Sequence, residues 1–426
     1  MIADAWGVEH SATTSQVAAW NGVVHAVTTH RADTAGQLDG LLHSHPGFAS
    51  AVALKGLAIM FKGRRDLLPV VDSQIAFDGP LTAFEAGLFK VLRAWRDDRY
   101  DDTECALREL VALEPRNLLA VKLQHGFLFL AGRTASMRSA IEHAAAQWSA
   151  EDIGYGYVLG CQSFAAGEHG EFDRAERIGR EAVERAPDDA WGIHAVSHVH
   201  EMRDENDRGA AWLTAHEDGY RECNNFRGHV FWHLALFELA LGNLARVYSL
   251  CDDEVRRAWT GDYRDMSNVA SLLWRLEVDG HDVGDRWEEL GEIAAAHQSD
   301  HGSAFADAHY ALALIRSGRS ADPLLESIAP ASCRGGQSAV VAGPGRRLCA
   351  AVAALGDGEF SRACELFEGV RSELHEIGGS NAQRDLFDQL HIDAALAGND
   401  VPLARQLIER RLLQRPNNPW THERVL

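Results

Sequence analysis

Two pairs of histidines share a spacing that could do chemistry. His194/His198 and His229/His233 are each four residues apart, and the second pair repeats the first 35 residues later. Residues four apart lie on one face of an α-helix, so each pair directs both imidazoles the same way. An offset of 35 is close to one helix-turn-helix repeat, which predicts that the pairs occupy equivalent faces of neighbouring helices. Packed helices lie about 8–10 Å apart, so inward side chains from two of them can converge. Glu201 extends the first stripe by another turn. Neutral imidazoles with this carboxylate suit a divalent Zn, Fe or Mn ion on His194, His198, His229 and His233. Without a metal, the same four histidines and Glu201 are candidate general acids and bases, with Glu201 or Asp265 orienting a ring. The competing reading is a set of hydrogen-bonded core histidines, the ordinary role of a helical His, in a chain that has 21 of them. No HExxH occurs, so the zinc-protease arrangement is absent.

Other residues offer binding rather than bond-making. Arg384, between Gln383 and Asp385, suits a substrate carboxylate or phosphate, or else a salt bridge to Asp385 or Glu201. Trp191 and Trp232 are pocket-floor candidates, although aromatics at helical spacing are usually core. Asp307 and His309 are two apart on a helix, so at most one faces a groove. Cys223 is a conceivable nucleophile near His229, but its surroundings favour an inert thiol. No phosphate loop, dinucleotide fingerprint, GxSxG or kinase-type set is present.

The elements that must position these groups read as helices. Helical periodicity covers nearly the whole chain, and strand-like alternation is scarce. A helix is predicted over about 15–30, a break at 43–46 with Pro46 opening the next helix, and a helix over 47–63. From residue 81 a repeat of about 36 residues appears. Its paired helices are closed at Pro115 and Pro187, and units follow at 190–225, 226–258, 262–300, 303–330, 345–378 and 382–415. Gly167, Gly242, Gly318, Gly356 and Gly398 precede the turns, where a left-handed φ is wanted. The Gly- and Pro-rich stretch 332–349 is expected to be an ordered loop or lid. These features predict an all-α, tetratricopeptide-like helical-repeat superhelix. The expected organisation is an irregular helical segment over 1–80 packed on one continuous repeat domain over 81–426.

Composition narrows the partners. The net charge is −21 and no Lys/Arg cluster occurs, which argues against nucleic acid and anionic membrane surfaces. No long apolar run suggests a membrane span, and the acidic N-terminal stretch does not resemble a signal peptide. Seven cysteines without CxxC spacing point to reduced thiols and a cytoplasmic location.

The chain resembles the tetratricopeptide repeat protein 38 family. The resemblance is carried by WGIHAVSHVHEM, CNNFRGHVFWHLALF, SLLWRLEVDG with GDRW, FADAHYALA and GGSNAQRDLFDQL, and runs from DAWG to about residue 415. It implies a helical-repeat fold and no particular reaction. The motif positions it marks are His194, His198, Glu201, Asn224, His229, Trp232, His233, Asp265, Asp307, His309, Gln383, Arg384 and Asp385. Two functions follow as expectations. One is an interior His/Glu/Asp/Arg pocket that binds or acts on a small molecule, as a hydrolase or lyase. The other is a non-catalytic scaffold holding a peptide or protein partner in its groove.

Overall fold

The computed structural model describes residues 1–257, 261–329 and 336–425. A short antiparallel ribbon opens the chain, β1 (Ile2–Ala3) against β2 (Glu9–His10). Four helices follow: α1 (Thr14–Thr28), α2 (Thr34–Ser44), α3 (Ala49–Met60) and α4 (Leu68–Ile75). The first 45 residues are more ordered than the sequence suggests. Thr13 and Gln16 form a reciprocal capping box at the start of α1, satisfying backbone N–H groups there. Pro46 does not open α3, whose N-cap is Phe48.

Nine helical hairpins come next among the described residues. They are α5 (Ala83–Arg96) with α6 (Tyr100–Leu113), α7 (Leu118–Leu130) with α8 (Thr134–Ala145), and α9 (Tyr155–Glu168) with α10 (Phe172–Arg185). Then come α11 (Ala190–Met202) with α12 (Asn206–Ala215), α13 (Phe226–Ala240) with α14 (Leu244–Ser249), and α15 (Tyr263–Val278) with α16 (Arg286–His297). The last three are α17 (Ala304–Arg316) with α18 (Asp322–Ser327), α20 (Arg346–Gly356) with α21 (Phe360–Val370), and α22 (Asn381–Ala397) with α23 (Val401–Gln414). Short helices α19 (Gln337–Val340) and α24 (Pro419–His422) complete the set. The fold class is the expected one: all-α, built from tetratricopeptide-like helical repeats.

One turn device recurs in every hairpin. The second residue after the first helix has a positive φ: Asp98, Gly132, Gly170, Asp204, Gly242, Gly280, Gly318, Gly358 and Asn399. The next residue donates its N–H five positions back, as Arg99 does to the Ala94 carbonyl and Asp400 to that of Ala395. This closes each first helix in a Schellman motif. Gly242 and Gly318 are therefore the left-handed residues the sequence suggests. Gly167 and Gly356 instead lie within helices and Gly398 has φ −76°, with Gly170, Gly358 and Asn399 taking the left-handed position.

The expected 332–349 loop is mostly helix. Residues 330–335 lie outside the described ones, but Gln337–Gly356 is helical on both sides of a kink at Gly343, with wider winding over Val341–Gly345 and non-helical angles at Gly343 itself. Gly343 and Pro344 distort this helix instead of building a lid. By length and hydropathy alone (mean hydropathy 1.2) the stretch qualifies as a membrane span, which the sequence reading does not single out; it carries Arg346 and Arg347.

The chain divides into two compact units. The first consists mainly of Met1–Val196 with His216–Arg227, and the second contains Ser197–Ala215 and most of the chain from Gly228 onward. The first unit's core is aromatic, with Trp20, Phe48, Phe89, Phe127 and Phe164 all buried. The second buries Phe231, Trp232, Phe237 and Phe387.

Candidate metal centre

The four histidines sit on α11 and α13, the first helices of consecutive hairpins. Each can offer one ring nitrogen such that all four atoms lie within 4.8 Å of one another. A tetrahedral Zn²⁺ with bonds of about 2.0–2.1 Å needs ligand atoms about 3.3 Å apart, so modest side-chain adjustment closes the set. The His198 and His233 ring centroids are 4.5 Å apart, and those of His229 and His233 are 4.8 Å apart. His194, His198 and His233 are buried and His229 is half-buried.

Two neighbours orient the α13 rings. Glu201 Oε2 accepts from His233 Nδ1 at 2.5 Å, and Asn268 Oδ1 accepts from His229 Nδ1 at 2.9 Å. A proton on Nδ1 places the lone pair on Nε2, the tautomer that a metal-ligating imidazole uses when its other nitrogen is hydrogen-bonded. Burial, with His233 and His198 close by, holds His229 well below its ordinary pKa and so favours the neutral, ligating ring. Burial pushes the Glu201 carboxyl up, but His233, Arg415 and His198 together outweigh it and keep it ionised. The residue types, tautomers and charge therefore fit a divalent cation.

The aromatic candidates flank this cluster. Trp232 stacks on His229 at 5.3 Å, and Trp191 lies 5.2 Å from His194. In the first unit Trp191 also stacks on Phe226 and lies beneath the Lys122 ammonium. Its neighbour His125 is pushed down to about 3 by burial and by Lys122.

The remaining candidates have other occupations. Asn224 accepts from the Phe226 N–H, shaping the entry to α13. Asp265 is buried in the first turn of α15, in the field of Arg264. Asp307 accepts from His301 at 3.0 Å, while His309 bonds the carbonyl of Phe305 in its own helix and packs against Phe387. Gln383 closes a capping box with Ser380 at the start of α22. Arg384 donates to the Gly378 and Gly379 carbonyls and to Asn381, and among the described residues no bond joins it to Asp385 or Glu201, the salt-bridge alternative for it. Asp385 instead binds Arg411 and Arg415. Cys223 donates to the Thr29 carbonyl and is pushed up to about 12, chiefly by burial, which fits an inert thiol.

Sequence reasoning missed Asn268, Arg275, Arg411 and Arg415. Arg415 reaches the Glu201 carbonyl and Asp204, closing the C-terminal end of α11. The only sequence signal for it was a basic residue just before Pro416.

Fold and site together define a tetratricopeptide-type helical-repeat protein with a four-imidazole cluster. No family model matches the chain. Among solved structures, the Cut9–Hcn1 hetero-tetramer of the APC/C is 14% identical, covering 95% of this chain and 69% of that one, with a TM-score of 0.47. Naa15/Naa10 bound to HypK-THB is 12% identical, covering 93% and 68%, with a TM-score of 0.22. With both TM-scores below 0.5, neither likeness bears on what this chain does.

Proposed function

We propose that this is a non-catalytic helical-repeat scaffold whose α11–α13 hairpins are tied together by one divalent cation, Zn²⁺ being the best fit to an all-imidazole donor set. The supporting observation is the convergence of four ring nitrogens with Glu201 and Asn268 fixing two tautomers. Four protein ligands fill a tetrahedral shell, as structural sites do, whereas catalytic sites keep a position open for water or substrate. That favours the scaffold over the hydrolase or lyase reading. Within this reading His194, His198, His229 and His233 ligate, Glu201 positions, and Trp191 and Trp232 pack around them. A peptide or protein is the partner such a scaffold would hold. The resemblance to the tetratricopeptide repeat protein 38 family belongs to the same proposal.

Elemental analysis of purified protein should give about one Zn, Fe or Mn per chain, lost in His198→Ala and His233→Ala with helical far-UV dichroism retained. Glu201→Gln should weaken metal binding about 10–100-fold, the usual effect of removing an outer carboxylate. Protein that takes up no divalent ion, and whose melting temperature ignores both added zinc and a chelator, would exclude the centre.

A further inference from the structure

A cleft of about 390 Å³ lies in the second unit, lined by Glu201, Leu236, Leu239, Arg275, Asp385 and Trp420 among others. Its charged groups are mostly engaged with one another. Asp385 takes both Arg411 and Arg415, Arg415 also takes Asp204, and Glu201 takes His233. Asp279, further along the wall, is paired with Arg424.

Arg275 is different. It is only 6% exposed, yet among the described residues its hydrogen bonds run from Nη1 alone, to the Ser271 carbonyl and hydroxyl. Among the described residues no carboxylate lies within ion-pair distance of it. Its Nε–H and Nη2–H edge carries no bond. That edge is the fork that takes a carboxylate through two parallel hydrogen bonds. Burial lowers the guanidinium to about 10, and the fields of Asp385 and Glu201 only partly offset it. A buried charge so placed is stabilised by an anion arriving from the cleft. The rest of the wall is mixed: Leu236, Leu239, Leu244, Pro419 and Trp420 supply its apolar part, and Gln389 and Glu423 are among its polar groups.

We infer that this cleft binds a small amphipathic carboxylate, its head group on the Nε/Nη2 edge of Arg275 and its apolar body against Leu236, Leu239 and Trp420. The cleft shares Glu201 with the imidazole cluster but none of the four histidines lines it, and the inference holds with or without a metal there. Its size suits a ligand of modest length, since small-molecule sites run from about 300 to 1,000 Å³.

The test uses 3-phenylpropionate as probe and 3-phenylpropan-1-ol as its uncharged match, titrated into the full-length protein by calorimetry. The carboxylate should bind saturably and the alcohol should not. Arg275→Gln should weaken the carboxylate about ten- to a hundredfold, the range for losing a charged hydrogen-bond pair. Equal binding of the alcohol, equal binding by inorganic phosphate, or unchanged affinity in Arg275→Gln would each overturn the inference, as would no saturable binding at all. Should Arg275→Gln fail to fold, Ala240→Trp serves instead: Ala240 is exposed at the rim, so a Trp there should block the probe while leaving the far-UV spectrum intact. Undiminished binding in that variant would equally overturn it.

Discussion

At the residue scale, charge is handled by pairing in depth. Asp385 is buried and held by Arg411 and Arg415. Burial pushes its carboxyl up, but the two guanidinium groups, with Arg275 beyond them, outweigh it and hold the carboxyl far below the usual range. A folded-state pKa below the unfolded one contributes stability that is fully present above the unfolded value, near about 4, and is lost as pH falls. Asp385→Asn should therefore cost about 3–5 kcal/mol at neutral pH, the usual effect of breaking a buried pair. The gap from the parent should narrow steadily below about pH 4. Urea unfolding at several pH values measures both; a gap independent of pH would show that the carboxylate charge is not the source. The sequence exposed this level only in part. His194, His198 and Glu201 follow from spacing within one helix, and the match to His229 and His233 follows from the repeat length. Asn268, Arg275, Arg411 and Arg415 do not, because which rows of two helices meet depends on packing register.

At the element scale, the nine turns form a matched series. Gly242 holds φ +77° with open space where a Cβ would lie, so Gly242→Ala isolates the backbone cost, about 1–2 kcal/mol. Asn399, at φ +57°, is the converse: Asn399→Gly should be neutral to slightly stabilising. Gly209 is a third case. A Cβ there would fall 2.3 Å from the Phe237 ring, so Gly209→Ala should cost about 1–3 kcal/mol through overpacking. Chemical denaturation ranks the three variants, and a Gly209→Ala protein as stable as the parent would mean the ring moves freely. The repeat was legible because period and closing prolines survive in the sequence. The left-handed positions were less so, since Asp98, Asp204 and Asn399 occupy a site usually given to glycine. The helix over Gln337–Gly356 was hidden by Gly343 and Pro344, which bend it without ending it.

At the scale of the whole molecule, a net charge of −21 acts on everything. Like charges repel within the folded chain, and salt screens them within a Debye length of about 8 Å at physiological strength. The melting temperature should rise between low and moderate sodium chloride, and a gel-shift assay with duplex DNA should show no complex. A melting temperature that falls with salt would mean that attractive surface pairs, such as Arg286–Asp252, outweigh the net repulsion. The bond from Arg415 to Glu201 and Asp204 spans more than 200 residues of sequence. During synthesis, then, the C-terminal end of α11, which carries Glu201, lacks this clamp until Arg415 has left the ribosome. With the proposed centre, nascent chains stalled before Arg415 should bind zinc more weakly than chains that include it.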